Sequence, residues 1–414
     1  MNRKIRKYLQ SRAAVTPWRI AGAERADFHA AVIIPALAES ETLPLTLASL
    51  TENPAELCRQ TLVLVVVNNR ADAPLKEKLD NQRTFDWLRT DPFPALNLAW
   101  IDASSSGLEL PPKDGVGMAR KIGFDLALPQ LDWAADPLLI SLDADTLVDQ
   151  HYLPSIYCHF HASSCAGGTL PFRHQPAGNP KQEAAIRQYE LYLRCYLFGL
   201  QHAGSPYAFH TIGSAFACTA AGYISAGGMN RRLGAEDFYY LQQLAKISGV
   251  ELVKGTVVQP SPRSSTRVPF GTGDAVQLQL ASGIESFTYI AASSFKVLQG
   301  WLQIITQGWE NSTEDLLRQA GDLSSPLKTF LGELEFCTTW ERIRKNHSGR
   351  QQRLAAFHTW FDGLRTRQLL TRVNCPAGMD KAQLIKELLA WGGVEEQNSA
   401  KDALATLERL QGVD

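Results

Sequence analysis

Two carboxylates one residue apart, Asp143 and Asp145, close the apolar run Asp136-Pro-Leu-Leu-Ile-Ser-Leu-Asp-Ala-Asp145. Such a pair can share one hard cation, Mg²⁺ or Mn²⁺, because both ions take oxygen ligands. A cation there would neutralise a bound diphosphate. Alone, the pair has a plainer reading as a turn that caps the next helix, since aspartate bonds its own backbone. A second acidic pair, Glu236-Asp237, opens a helical pattern after the glycine loop Gly227–Gly234. Acidic residues favour the positive end of a helix, and a carboxylate fixed there can also take the proton of an incoming hydroxyl. Arg120 and Lys121 lie on the first turns of a glycine-opened segment, where a helix N-terminus suits an anion. Arg263 and Arg267 could clamp phosphate, with Gly271 and Gly273 letting their loop close. These basic residues read equally well as solvated surface.

Several elements must position these groups. Leu138 to Leu142 is an apolar run of strand length and Thr146 can begin a turn, so Asp143 and Asp145 fall at the carboxyl end of a strand. Ala30 to Pro35 is a short apolar strand, followed by helical spacing at Leu43, Leu47 and Leu50. Thr61 to Asn69 is a β-branched run typical of a strand buried on both faces, with Asn68 and Asn69 at its carboxyl end. Leu96 to Asp102 gives a third strand, and Gly115 to Leu128 a helix. Strands alternating with helices predict a doubly wound α/β domain that binds ligands at the carboxyl edge of its sheet. Glycines 115, 117 and 123 do not make a dinucleotide fingerprint, because the third falls too late. Further on, the pattern predicts a strand over 165–171, an aromatic-rich helix over 181–200, a strand over 212–219, a helix over 220–226 and a helix over 235–244.

Seven short motifs then fall in one order: Val32-Ile-Ile-Pro-Ala-Leu-Ala-Glu39, Val65-Val-Val-Asn-Asn69, Gly115 through Ala119-Arg120 to Gly123, Leu142-Asp-Ala-Asp145, Gly213-Ser-Ala-Phe-Ala217, Gly227-Gly228 and Glu236-Asp237. Together they resemble the family 2 glycosyltransferases of the GT-A fold, within the nucleotide-diphospho-sugar transferase superfamily. The resemblance spans roughly residues 30 to 270. It implies a GT-A type doubly wound mixed sheet flanked by helices, and metal-dependent, inverting transfer of a sugar from a nucleoside-diphosphate donor to an acceptor hydroxyl. It also implies roles: Asp145, helped by Asp143, on a divalent cation (Mn²⁺ or Mg²⁺) and the sugar diphosphate; Glu39 and Asn69 near the nucleoside; Asp237, in the pair with Glu236, as base. The resemblance also implies that Pro35 in the first motif and Arg120 in the third belong to the same donor site.

The sequence departs from the family pattern in three places. Asn69 stands where aspartate is usual, so it donates as well as accepts. Lys121 stands where asparagine is usual, adding charge near the diphosphate. No histidine follows Asp237 before His347, so a late histidine ligand has no counterpart. A sugar-phosphate nucleotidyltransferase would use a similar sheet, but it wants a glycine-rich basic loop after the first strand, where this chain has Ala36-Leu-Ala-Glu-Ser40. A nucleotide-sugar-binding protein without activity, and a scaffold organised by the C-terminal helices, are the non-enzymatic alternatives.

With 414 residues, 45% of them hydrophobic and 20% charged, the chain can bury a large core. Its 41 Lys plus Arg balance 42 Asp plus Glu, which gives no field for nucleic acid. Seven cysteines without a Cys-x-x-Cys pair read as reduced thiols and lead us to expect a cytoplasmic protein. Residues 1–29 form a basic segment without the apolar core of a signal peptide, able at most to touch the inner face of a membrane peripherally. Residues 30–275 form the expected GT-A catalytic domain and residues 276–414 a helical C-terminal region. There Trp301, Trp309, Trp340 and Trp360 read as packing in preference to an acceptor groove. The loops Gly227–Gly234 and Arg263–Gly273 are expected to be mobile without donor and ordered with it.

Overall fold

A computed structural model describes residues 3–22, 26–263, 277–278, 280, 287–376 and 378–413. Eight strands form one mixed sheet in the order β1-β4-β3-β2-β5-β7-β6-β8. They are β1 (Ile20–Ala21), β2 (Ala30–Ala36), β3 (Thr61–Asn68), β4 (Asn97–Ala103), β5 (Leu138–Ser141), β6 (Gly167–Thr169), β7 (Phe216–Thr219) and β8 (Val250–Leu252). The middle of the sheet, β4-β3-β2-β5, is parallel. Every residue of β2, β3 and β5 is buried, which explains their unbroken Val, Ile and Leu runs. This mixed sheet flanked by helices is the fold class that the motifs predict.

The helices of this part are α1 (Arg3–Ser11), α2 (Leu43–Thr51), α3 (Ala55–Gln60), α4 (Leu75–Leu88), α5 (Val116–Ala127), α6 (Tyr152–Ala162), α7 (Pro180–His202), α8 (Ala220–Ser225) and α9 (Glu236–Ala245). The expected strands over 165–171 and 212–219 are shorter than the pattern suggested. The chain turns at 212–215, where Ala215 N–H bonds back to Ile212, and only then enters β7. There it pairs antiparallel with both β5 and β6. Small-residue composition does not distinguish such a turn from a strand.

The N-terminal segment is not a solvated arm. In α1, Ile5 and Tyr8 are buried. Tyr8 Oη donates to Asp125 Oδ1 at 2.7 Å on α5, which also accepts from Tyr223 Oη at 2.8 Å. The basic residues of this segment therefore flank a buried stripe.

The chain divides into two compact units, residues 1–186, 211–284 and 412–414, and residues 187–210 and 285–411. The boundary falls within α7, so the second unit combines the later part of that helix with the C-terminal region. Among its described residues, helices succeed one another from Ala292–Gln307 to Ala400–Leu410. Trp301 and Trp340 are fully buried in its core, and Trp301 meets Phe336 edge-on with centroids 5.2 Å apart. Trp360 packs against this core, and Arg353 and Arg365 lie over the rings of Trp309 and Trp360. No helix among the described residues is long and apolar enough to cross a membrane, and all seven cysteines are free.

Candidate active site

At the carboxyl edge of the sheet, one guanidinium joins three elements. Arg120 lies on α5, whose first turn comes so close to the loop before α9 that a Cβ on Gly117 would lie 2.7 Å from the Arg232 carbonyl. Its Nε donates to Ser141 Oγ at the end of β5 at 3.0 Å, and Ser141 Oγ donates to the Gly213 carbonyl at 2.7 Å. Its two terminal nitrogens donate to Asp143 Oδ1 and Glu236 Oε1. The Arg120 and Glu236 side chains are only 3% and 5% exposed. Burial works against the guanidinium charge, but Asp143, Glu236 and Asp237 outweigh it and raise its pKa. A Cβ at position 213 would lie 2.5 Å from Arg120 Nη2, so glycine there leaves room for this group.

Asp237 comes directly after Glu236 in the first turn of α9 and accepts from the N–H of Phe238 at 2.7 Å. Part of its surface stays accessible, yet atoms crowd its carboxyl. Desolvation first, then the neighbouring Glu236, push its pKa up to about 7, against the opposing pull of Arg120. Glu236 is also raised, by burial, and Arg120 restrains that rise. The helix begins from Ala235 in the left-handed region, φ 56°, which turns the Glu236-Asp237 pair sharply out of the preceding loop. Asn230 Nδ2 donates to the Glu236 carbonyl at 2.8 Å, and the Arg232 guanidinium stacks 3.7 Å from the Tyr239 ring centroid.

A second guanidinium joins the other aspartate to the first strand's loop. Arg263 Nη1 donates to Glu39 Oε2 at 2.8 Å and Nη2 to Glu39 Oε1, while its Nε meets Asp145 Oδ2 at 2.8 Å. The Glu39 loop is held from α4: Ala38 N–H donates to Asn81 Oδ1 at 2.9 Å and Ser40 N–H to Asp80 Oδ1 at 3.0 Å. The Asp145 carbonyl accepts from Gln175 at 2.9 Å. Pairing of Leu147 with Gln259 lays the segment before Arg263 alongside the turn after Asp145.

The structure therefore brings Glu39, Arg120, Asp143, Asp145, Glu236, Asp237 and Arg263 to one edge. Pro35 is a buried strand residue opposite Val66, one position before the end of β2. Asn69 is also buried: its amide donates to the Arg70 and Ser104 carbonyls and its oxygen accepts from Asn81. Lys121, by contrast with Arg120, lies in a buried group with Asp125 at 2.9 Å and Tyr8 at 3.0 Å, because successive helix residues diverge by about 100°. Arg267 and the rest of its loop to Gly273 lie outside the described residues. Sequence reasoning missed Ser141, Asp80, Asn81 and Gln175. Of these, only Asn81 left a signal, a polar residue at a buried position of a helical period.

No protein-family model matches the chain, and no curated protein matches it. Among solved structures it is similar to S. aureus TarS 1-349 in complex with UDP-GlcNAc, with 13% identity, TM-score 0.40, and 92% of this chain and 91% of that chain covered. It is also similar to the mannosyltransferase PcManGT from Pyrobaculum calidifontis in complex with GDP-Man and Mn2+, with 14% identity, TM-score 0.38, and 87% and 93% covered.

Among the described residues no three His, Cys, Asp or Glu side chains are grouped to hold a metal. Mg²⁺ and its analogues are commonly held by one or two carboxylates, with phosphate oxygens and water completing the sphere. Asp143 and Asp145 fit that pattern, being 35% and 16% exposed at the edge. Beside them, the buried hydroxyls of Thr146 and Tyr152 have no hydrogen-bond partner among the described residues.

Proposed function

We propose that residues 30–275 form a GT-A type catalytic domain, similar to family 2 glycosyltransferases, that moves a sugar from a nucleoside-diphosphate sugar to an acceptor hydroxyl with inversion. One observation carries this reading: Arg120 ties Asp143 of the Asp-x-Asp turn to Glu236, which sets Asp237 beside that turn at the ligand-binding edge. Direct displacement needs a base on one side of the anomeric carbon and a stabilised leaving group on the other. Asp237, with a carboxyl near neutrality, suits the base. It takes the acceptor proton as the acceptor oxygen bonds to the anomeric carbon, and the bond to the diphosphate breaks with its electron pair leaving on the diphosphate. A divalent cation held by Asp145 and Asp143 would act as a Lewis acid toward that leaving charge. Arg263 and Arg267 would grip the diphosphate oxygens, and Glu39 and Asn69 would flank the nucleoside.

The nucleotidyltransferase alternative gains no support at the loop after β2. Its Ala38 and Ser40 N–H groups are already taken by Asn81 and Asp80, so it forms no phosphate cradle. The test is turnover of a panel of nucleotide sugars with Mn²⁺, comparing the wild type with Asp237→Asn. The expected result is release of nucleoside diphosphate by the wild type, and a loss of about 10²–10⁴-fold in kcat with donor binding kept in the variant. Unchanged turnover in Asp237→Asn would remove the base assignment, and pyrophosphate release from a nucleoside triphosphate would point to the nucleotidyltransferase.

A further inference from the structure

Arg263 does more at this edge than wait for a diphosphate. Its guanidinium donates to both oxygens of Glu39 and to Asp145, so one cation bridges two carboxylates from separate loops. Without a positive charge between them, those carboxylates would repel each other in a partly buried place. The backbone leading to Arg263 is fixed: Val258 N–H donates to the Pro171 carbonyl at 2.8 Å, Gln259 N–H to Leu147 at 2.9 Å, and Gln175 N–H to Pro260 at 2.9 Å. The side chain itself is 36% exposed, against 3% for Arg120. It can therefore leave by rotation while its backbone stays.

We infer that Arg263 and the divalent cation compete for Asp145, the guanidinium acting as an internal counter-ion of the donor-free site. This rests on the nucleotide-sugar reading above and adds a regulation to it. Asp145 Oδ2 lies 2.8 Å from Arg263 Nε, so a cation that took the same carboxylate as a ligand would meet that positive group directly. Cation entry requires the guanidinium to move off. An incoming diphosphate supplies anionic oxygens that accept the freed guanidinium bidentately. Cation and nucleoside diphosphate then favour each other's binding, and the coupling is reciprocal.

The experiment is Mn²⁺ binding to the whole chain by electron paramagnetic resonance, with and without a mixture of uridine and guanosine diphosphates. Arg263→Gln removes the charge. Arg263→Lys keeps a charge beside Glu39, but its single ammonium cannot reproduce the fork that reaches Asp145. Melting curves check that each variant is folded. Both variants are expected to bind Mn²⁺ at least about tenfold tighter than the wild type without nucleotide, which is about 1.4 kcal/mol. The gap should narrow when nucleoside diphosphate is present, and Asp145→Asn should lose binding. If both Arg263 variants match the wild type while Asp145→Asn loses Mn²⁺, the competition is wrong and the metal reading stands. If no protein binds Mn²⁺ in either condition, the competition and the metal reading fall together.

Discussion

The two carboxylates of the Asp-x-Asp turn are held in parallel ways that differ in burial. Arg120 links Asp143 to Glu236 with its side chain 3% exposed, and Arg263 links Asp145 to Glu39 with 36% exposed. Attraction between the same charges is stronger where water is excluded, and so is the cost of leaving one of them alone. The buried link behaves as architecture: it fixes α5, β5 and α9 together and sets the position of Asp237. The accessible link is exchangeable, because water or a ligand can replace either partner. Similar residue types, one residue apart on the same turn, thus divide the work of the site into a fixed half and a movable half.

Removing each arginine puts this contrast under the greatest stress. Arg120→Gln leaves Glu236 buried without its ion pair and should destabilise the protein by about 3–5 kcal/mol. Arg263→Gln, at a solvent-accessible pair, should cost on the order of 1 kcal/mol. Chemical denaturation of the two variants checks this, and equal losses would erase the distinction. An effect smaller than that of Arg120→Gln is expected from Gly213→Ala, whose methyl would press on Arg120 Nη2. Overpacking there should cost about 1–3 kcal/mol and lower kcat through displacement of Arg120, with little change in Mn²⁺ affinity. A loss of Mn²⁺ affinity as large as the loss of kcat would mean that the two halves are not separate.

The pH dependence bears on the fixed half. Asp237 has a folded pKa of about 7, above its unfolded value of about 3.9. Folding therefore favours the protonated carboxyl. That contribution to stability is full below the unfolded value and is lost as pH rises through 7. Base catalysis needs the opposite form, so kcat/KM should rise across the same window with a midpoint near 7. Glu236→Gln removes a neighbouring negative charge and should move that midpoint to lower pH, though by less than the whole displacement, because burial is the larger cause. A midpoint unmoved by Glu236→Gln would assign the titration to another group.

Much of this edge was legible in the sequence, because β2, β3 and β5 are continuous apolar runs and Asp143, Asp145, Glu236 and Asp237 follow such a run or open a helix. Asp143 and Asp145 fall where β5 predicts them, and the β-branched run ending at Asn68 is buried throughout. The pairings were not legible. Arg120 meets Glu236 across 116 positions and Arg263 meets Glu39 across 224, and nothing local specifies either. The partner of Lys121 was hidden for the same reason: it is a tyrosine 113 positions away. The antiparallel insertion of β7 beside β5 was hidden because small residues at 212–215 fit a turn as well as a strand.

A crystal structure soaked with Mn²⁺ and a mixture of nucleoside diphosphates would probe the fixed and movable halves together. Mn²⁺ is expected on Asp145 with the diphosphate bound to it, and Arg263 withdrawn from Asp145 onto the phosphate oxygens. Arg120 should stay unmoved between Ser141, Asp143 and Glu236, with Asp237 facing the space where the sugar would extend. Nucleotide bound away from the carboxyl ends of β2, β3 and β5, or bound there with Arg263 still on Asp145, would contradict this division of the site.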